Sequence, residues 1–274
     1  MVEELSMARG LPPIAAMAAV LLAVVVATPA RAVVDVDLEL ILAVDVSGSM
    51  DRGEADLQRQ GYVAAFRHPD VVRAIESGVH GRIAVSYIEW AGTQYQNVAV
   101  PWSIVSGTAS AGEFADAIAA LPFHRDFGTS ISTILRFAAD RFRESGARGL
   151  RRTIDISGDG PNNMGEPVDR SRDAVVGLGI AINGLPVMIR DGGSRARMRD
   201  LDIYFEDCVV GGPGAFIVPV HDRAGFAEAI RRKLVLEIAG TPPRLMHAAE
   251  TRPLARVDCL IGEKTRGNWF LTDP

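Results

Sequence analysis

Leu38-Glu39-Leu40-Ile41-Leu42-Ala43-Val44-Asp45-Val46-Ser47-Gly48-Ser49 decides the fold of this chain. The run Leu38–Val44 is too short for a helix of ordinary length and reads as a buried β-strand. Asp45 then falls at the carboxyl end of that strand, and Ser47 and Ser49 follow at every second position. In open α/β sheets, ligand sites gather at the carboxyl ends of strands. One carboxylate and two hydroxyls are hard oxygen donors, suited to Mg²⁺ or Ca²⁺ rather than Zn²⁺. The stretch therefore points to a divalent-cation site on a Rossmann-like domain.

Working outward, strands and helices alternate. After the first strand, Arg52–Arg67 reads as a helix, which Asp51 and Glu54 could open as a capping box, and Pro69–Glu76 as a second helix. Arg82–Trp90 and Val98–Trp102 read as strands joined by a turn at Gly92, paired antiparallel. Ala111–Leu121 and Ser130–Glu144 carry apolar residues at helical spacing, and Gly146 follows the second. Thr153–Ser157 is a fourth strand, Val168–Leu178 a helix and Ile180–Val187 a fifth strand. Asp191–Arg199 reads as a charged surface loop, and a short helix is expected through Cys208. Ala215–Val220 is expected as a sixth strand, and Gly225–Ile238 as the last strong helix, stopped by Gly240, Pro242 and Pro243. The fold class that follows is three-layer α/β/α, with a mostly parallel central sheet and one antiparallel edge strand.

Composition sets the outer bounds. The chain has 274 residues, 48% hydrophobic and 23% charged, enough for one large α/β domain with a full core. A net charge of −5 without a basic run argues against nucleic acid as a partner. Ile14–Ala27 is uninterrupted apolar sequence, and Thr28-Pro29-Ala30-Arg31-Ala32 has the small-x-small pattern of a signal-peptidase site. Residues 1–32 are thus read as a signal peptide, with translation starting at Met1 or at Met7, whose Arg9 gives a basic start. The domain is expected over 33–240, followed by a weakly structured tail over 241–274. Contact with a membrane is expected only if the leader stays uncleaved, and a fourteen-residue apolar run is short for a span of roughly 20. The expected location is the periplasm or the extracellular space. An exported chain with two cysteines, Cys208 and Cys259, can form one disulfide; two unpaired thiols are the alternative. The loop it closes, of about 50 residues, is valued at roughly 4 kcal/mol by chain entropy.

A single D-x-S-x-S is a weak signal, because Ser47, Ser49 and Asp51 are also good helix caps. Two further loops strengthen it. Phe127-Gly128-Thr129-Ser130 precedes a helix, and Ser157-Gly158-Asp159-Gly160 follows a buried strand. Asp45-x-Ser47-x-Ser49, Thr129 and Asp159 in this order resemble the metal-ion-dependent adhesion site of the von Willebrand factor A (vWA) family, over residues 36–239. Tyr87–Trp90, Ile156–Asn163 and Gly211–Val218 are similar to a bacterial, exported subgroup of uncharacterised function. The family usually carries Thr or Ser directly before the second Asp, where Gly158 stands here. The resemblance implies that Ser47 and Ser49 bind the cation directly, Thr129 directly or through water, and Asp45 and Asp159 mostly through water. Mg²⁺ is the implied ion, with Mn²⁺ and Ca²⁺ as alternatives. Neutral hydroxyls leave its charge poorly cancelled, so an open position attracts a partner protein's Asp or Glu carboxylate. In integrin-type members, metal ligation is coupled to a shift of the last helix, here Gly225–Ile238; whether this chain moves is left open.

Other chemistries lack their residues. Ser47 stands where a phosphatase with an Asp45 nucleophile needs its second acid. There is no G-x-S-x-G elbow and no nucleotide-binding G-x-x-x-x-G-K-[ST] loop. His68, His80, His124, His221 and His247 are scattered, with no H-x-x-x-H pair for zinc. Asn162 and Asn163 read as loop-forming residues more readily than as ligand-facing ones. The expected function is a non-catalytic, metal-dependent protein-binding domain. The alternative is a structural subunit of a cell-envelope complex whose site holds the fold or takes an internal acid, for which the tail offers Glu250, Glu263 and Asp273.

Overall fold

The computed structural model describes residues 33–50, 52–189, 198–240 and 257–269, the last four by backbone alone. The signal-peptide reading of 1–32, the capping role of Asp51, most of the 191–199 loop, and Glu250 and Asp273 lie outside these residues. In chain order the elements are β1 (Val34–Asp45), α1 (Arg52–Arg67), α2 (Pro69–Glu76), β2 (Ile83–Trp90), β3 (Gln96–Val105), α3 (Thr108–Ala119) and α4 (Ile131–Arg141). There follow β4 (Ala147–Gly158), α5 (Val168–Gly177), β5 (Ala181–Pro186), α6 (Leu201–Tyr204), α7 (Phe226–Ala239) and α8 (Ile261–Trp269). A π-helical turn over Phe205–Val209 continues α6.

The sheet order is β3-β2-β1-β4-β5, with β2 and β3 antiparallel and the other pairs parallel. β1 is central; its second half, Leu40–Val44, is covered on both faces and is continuously apolar, whereas its first half alternates with Asp35, Asp37 and Glu39. Leu38, Leu40, Leu42 and Val44 point to one side, against Tyr62 and Phe66 of α1 and Phe226, Ile230 and Leu234 of α7. Ile41 and Ala43 point to the other, against Ile131, Ile134 and Leu135 of α4 and Val168 and Val175 of α5. The period-2 geometry of one strand thus builds two cores. Among the described residues, no helix is long and apolar enough to cross a membrane.

The structure departs from the sequence reading in three places. β4 starts six residues earlier than Thr153. Its first half alternates exposed and half-buried residues and is pinned to β1 by pairing from Val34 and by the Gly149 N–H donating to Glu39 Oε1 at 2.8 Å. Ala215–Val220 is not a ladder strand. It runs beside the end of β5 through isolated bridges, Ile217 with Gly184 and Val220 with Val187, in which the Val218 and Val220 N–H groups donate to the Gly184 and Pro186 carbonyls; Pro186, which has no N–H, cannot donate in return. The tail, read as weakly structured, carries a helix over Ile261–Trp269.

One polar cluster lies inside the apolar layers. The Lys233 ammonium of α7 is buried between Asp155 of β4 and Glu237, and Asn183 of β5 donates to Glu237 Oε1 at 2.9 Å. This cluster ties the last large helix to the centre of the sheet.

Candidate metal centre

Strand register brings the loops to one level. Asp45 pairs with Trp90 and Val44 with Ser157, so β1, β2 and β4 end together. The Val46 N–H donates to the Trp90 carbonyl at 2.9 Å, and the Val46 carbonyl accepts the Asp126 N–H at 3.1 Å. Ser130 N–H reaches the Ala91 carbonyl at 2.8 Å. The D-x-S-x-S loop and the loop before α4 are therefore stitched side by side over the sheet's carboxyl edge. From the opposite side, Gln58 of α1 donates to the Asp45 carbonyl at 3.2 Å.

Four of the five expected ligands are linked directly. Asp45 Oδ1 accepts the Ser47 N–H at 2.7 Å, an Asx-type turn that folds the loop back on itself. Ser47 Oγ and Ser49 Oγ are 3.0 Å apart, and Ser49 Oγ donates to Asp159 Oδ1 at 2.6 Å. Asp45, Ser47 and Asp159 are almost wholly buried. Thr129 is buried in the neighbouring loop and is held through its backbone: its N–H donates to Asn163 Oδ1 at 3.0 Å and its carbonyl accepts the Asn163 N–H at 2.9 Å. Ser130 is the N-cap of α4, accepting the Thr133 N–H. The capping reading of the Gly-Thr-Ser loop thus belongs to Ser130 and leaves Thr129 unclaimed by it.

Gly158, where the family usually has a hydroxyl residue, has a local reason. A Cβ there would sit 3.1 Å from Asp45 Oδ2 and 3.6 Å from the ring of Trp90, which is fully buried. The Asp45 carboxylate is the tight neighbour, and the indole lies at ordinary contact distance beside it. Asp159 still turns its carboxylate towards Ser49.

The electrostatics are those of a site short of positive charge. Burial, then the negative charge of Asp159, pushes Asp45 up from 3.8 to about 8, against hydrogen bonds from Ser47 and the Asp159 backbone. Asp45 Oδ2 is buried and makes no hydrogen bond among the described residues. Two neighbouring buried carboxylates with an unused oxygen and two hydroxyls are a fitting donor set for a hard divalent cation. Among the described residues, no group of three or more His, Cys, Asp or Glu could hold a metal, so any ion here depends on the hydroxyls. Asp45, Ser47, Ser49, Thr129 and Asp159 are the residues that would hold it.

The Asp159 loop is held by the asparagines read above as loop-forming. Asn162 Oδ1 accepts the Ser132 N–H at 2.9 Å, and its Nδ2 donates to the Glu166 carbonyl at 3.2 Å and to Glu263 Oε1 at 2.7 Å. Asn162 and Asn163 are therefore loop-building residues that join the Thr129 and Asp159 loops. Their sequence signal was two Asn in a Gly- and Pro-rich loop. Glu263, named as an internal ligand, hydrogen-bonds to Asn162 instead. Cys208 and Cys259 are joined in a disulfide, with their Cα atoms 5.5 Å apart.

This fold and loop set define a vWA-type domain. The chain belongs to the family described as a protein of unknown function (DUF1194), whose model matches residues 35–242. No curated protein matches it. Among solved structures, proximal thread matrix protein 1 (PTMP1) from the mussel byssus is similar, with 13% identity, a TM-score of 0.55, and coverage of 76% of this chain and 49% of that one. A second structure of it, with a zinc-occupied MIDAS motif (the metal-ion-dependent adhesion site), matches at 13% identity and a TM-score of 0.52, over 76% and 49% of the two chains. The pilus adhesin SpaC from Lactobacillus rhamnosus GG in its open conformation matches at 12% identity and a TM-score of 0.54, over 74% of this chain and 30% of that one. The chain spans half or less of the length of these structures, and the likeness at such identity is one of fold.

Proposed function

We propose that this chain is an exported, non-catalytic binding domain that holds a divalent cation on Asp45, Ser47, Ser49, Thr129 and Asp159 and uses it to take hold of an acidic group on a protein partner. The observation that carries this reading is the buried pair Asp45 and Asp159, bridged by the Ser47 and Ser49 hydroxyls. Bound there, the cation would supply a Lewis-acidic position for a carboxylate oxygen from outside. Mg²⁺ fits the donor set best, and Mn²⁺ or Ca²⁺ can replace it. The chain's own groups do the rest. Ser47 and Ser49 present neutral oxygens, Asp45 and Asp159 supply charge behind them, and the Asn163 link holds Thr129 beside them.

Other features support the reading. Arg125 is exposed, its guanidinium about 4.0 Å from where a Cβ on Gly48 would lie, in a chain of net charge −5. A cation beside the metal loop favours an anionic visitor. The Cys208–Cys259 bond suits an oxidising compartment, as does the leader-like segment ending at Ala32. Two of the structural relatives are named as a pilus adhesin and as a matrix protein with an occupied site of this kind.

The test has two arms. Calorimetry should find one Mg²⁺ or Mn²⁺ site in the wild type and none in Asp45→Ala. A pull-down from envelope extract should retain a partner with Mg²⁺, lose it with EDTA, and lose it with Asp45→Ala. Equal retention in all three conditions would refute the reading. If the site took an internal acid instead, deleting 257–274 would strengthen binding of an added carboxylate; the engagement of Glu263 with Asn162 argues for no such change.

A further inference from the structure

We infer that α8 is a disulfide-tethered strap whose Gly262 and Glu263 position the Asp159 loop, so that the geometry of the metal centre depends on residues beyond the domain's last large helix. The inference rests on the proposed metal site for its functional consequence, but not for its structural claim. Three contacts on different atoms converge on it.

The first is covalent. Cys259, two residues before α8, is bonded to Cys208 in the π-helical turn after α6, across 51 residues of sequence. Val257, Cys259 and Ile261 pack on the core cluster that includes Tyr204, Phe205 and Cys208. The start of the helix is thereby fixed to the body of the domain.

The second is a close backbone approach. Gly262 is buried against the loop after β4, and a Cβ there would overlap the Asn162 carbonyl and lie 3.1 Å from the Pro161 ring. Only glycine lets the helix lie this near to the loop. The third is polar. Glu263 Oε1 accepts from Asn162 Nδ2 at 2.7 Å, while the Asn162 N–H donates to the Tyr204 hydroxyl at 3.1 Å. Asn162 lies three residues after Asp159, and its Oδ1 holds the Ser132 N–H at the start of α4, next to Thr129 and Ser130. One asparagine thus joins the strap, the Asp159 loop and the helix that follows the Thr129 loop. Its three polar groups are each engaged, so removing the Glu263 acceptor leaves one N–H of a buried amide without a partner, the other still held by the Glu166 carbonyl, and frees the loop to shift.

Gly262 and Glu263 are positioning residues; neither touches the cation site. Four variants of the full chain separate the contacts: Cys208→Ser with Cys259→Ser, Gly262→Val, Glu263→Ala and Glu263→Gln. Hydrogen exchange of residues 158–166 reads the loop, exchange of β1 reads the core, and Mn²⁺ titration reads the centre. In the first three variants, exchange in 158–166 should rise by about tenfold or more while β1 is unchanged. Mn²⁺ should bind several-fold more weakly. Glu263→Gln, which keeps the acceptor oxygen, should restore both to wild-type values. Gly262→Val and Glu263→Ala keep the disulfide, so they decide the matter should the cysteine variant fail to fold.

Unchanged exchange in 158–166 with Gly262→Val and Glu263→Ala would overturn the inference. So would a rise spread equally over β1, which is general loosening, and so would looser loops with unaltered Mn²⁺ affinity. A wild-type protein that binds no Mn²⁺ would refute the metal reading alone, and the exchange data would still show whether the strap holds the loop.

Discussion

Replacing Asp45 by Asn should stabilise the cation-free protein at neutral and alkaline pH while abolishing its response to Mg²⁺. Asn keeps an oxygen to accept the Ser47 N–H, so the turn at 2.7 Å survives. What changes is the charge. Burial and Asp159 raise Asp45 from 3.8 to about 8, so the folded protein holds a proton that the unfolded chain releases. For a raised pKa the sign is fixed: the contribution is intact below pH 3.8, declines as pH rises, and is fully lost above pH 8. At about 1.4 kcal/mol per pH unit, the full loss is on the order of 5 kcal/mol. Even half of that moves a urea midpoint by about 1 M. The assay is urea denaturation from pH 5 to 8, with EDTA and with Mg²⁺. In EDTA the wild type should weaken steadily with pH and Asp45→Asn should weaken much less, crossing above it by pH 8. With Mg²⁺ the wild type should recover and the variant should not. An Asp45→Asn protein that is less stable than wild type in EDTA at pH 8, or that is equally rescued by Mg²⁺, would refute this account of the site.

Other perturbations follow from the same geometry. Mg²⁺ binding should release a proton below pH 8, its affinity rising up to tenfold per pH unit between pH 5 and 8; calorimetry in buffers of different ionisation enthalpy reads this. Gly158→Thr should cost about 1–3 kcal/mol in urea denaturation, although the family usually has Thr or Ser there, because its Cβ meets Asp45 Oδ2 and Trp90. Lys233→Met should cost about 3–5 kcal/mol, since it leaves Asp155 and Glu237 buried without their counter-charge. If α7 were to shift as in integrin-type domains, Lys233→Met should also speed exchange in α7 selectively; a uniform change across the sheet would argue for a fixed helix.

What the sequence disclosed depended on how local each cause was. The central strand was legible because Leu40–Val44 is apolar without alternation, as a strand covered on both faces requires. The three loops were legible because Asp45, Ser47 and Ser49 alternate, and because Thr129 and Asp159 precede and follow clear elements. The first half of β4 was hidden, since Arg148, Arg151 and Arg152 read as surface while their backbone pairs with β1. Ala215–Val220 looked like a strand by composition, but its would-be partner strand ends in Pro186, which has no N–H to give, so only isolated bridges form. The strap was the least legible feature. Cys208 and Cys259 permitted a bond, yet Gly262 and Glu263 gain meaning only against Asn162, about a hundred residues away. Likewise, nothing local in the sequence says that the Asp45 carboxylate lies against Gly158.

The central claim is that the Asp45–Ser49 loop, with Thr129 and Asp159, is a hydroxyl-rich cation site. A Mn²⁺ titration followed by water-proton relaxation tests it most directly, comparing the wild type with Ser47→Ala/Ser49→Ala at pH 8. The account predicts one site in the wild type, displaced by Mg²⁺, and none in the double variant. No site in the wild type, or equal binding by both proteins, would contradict it.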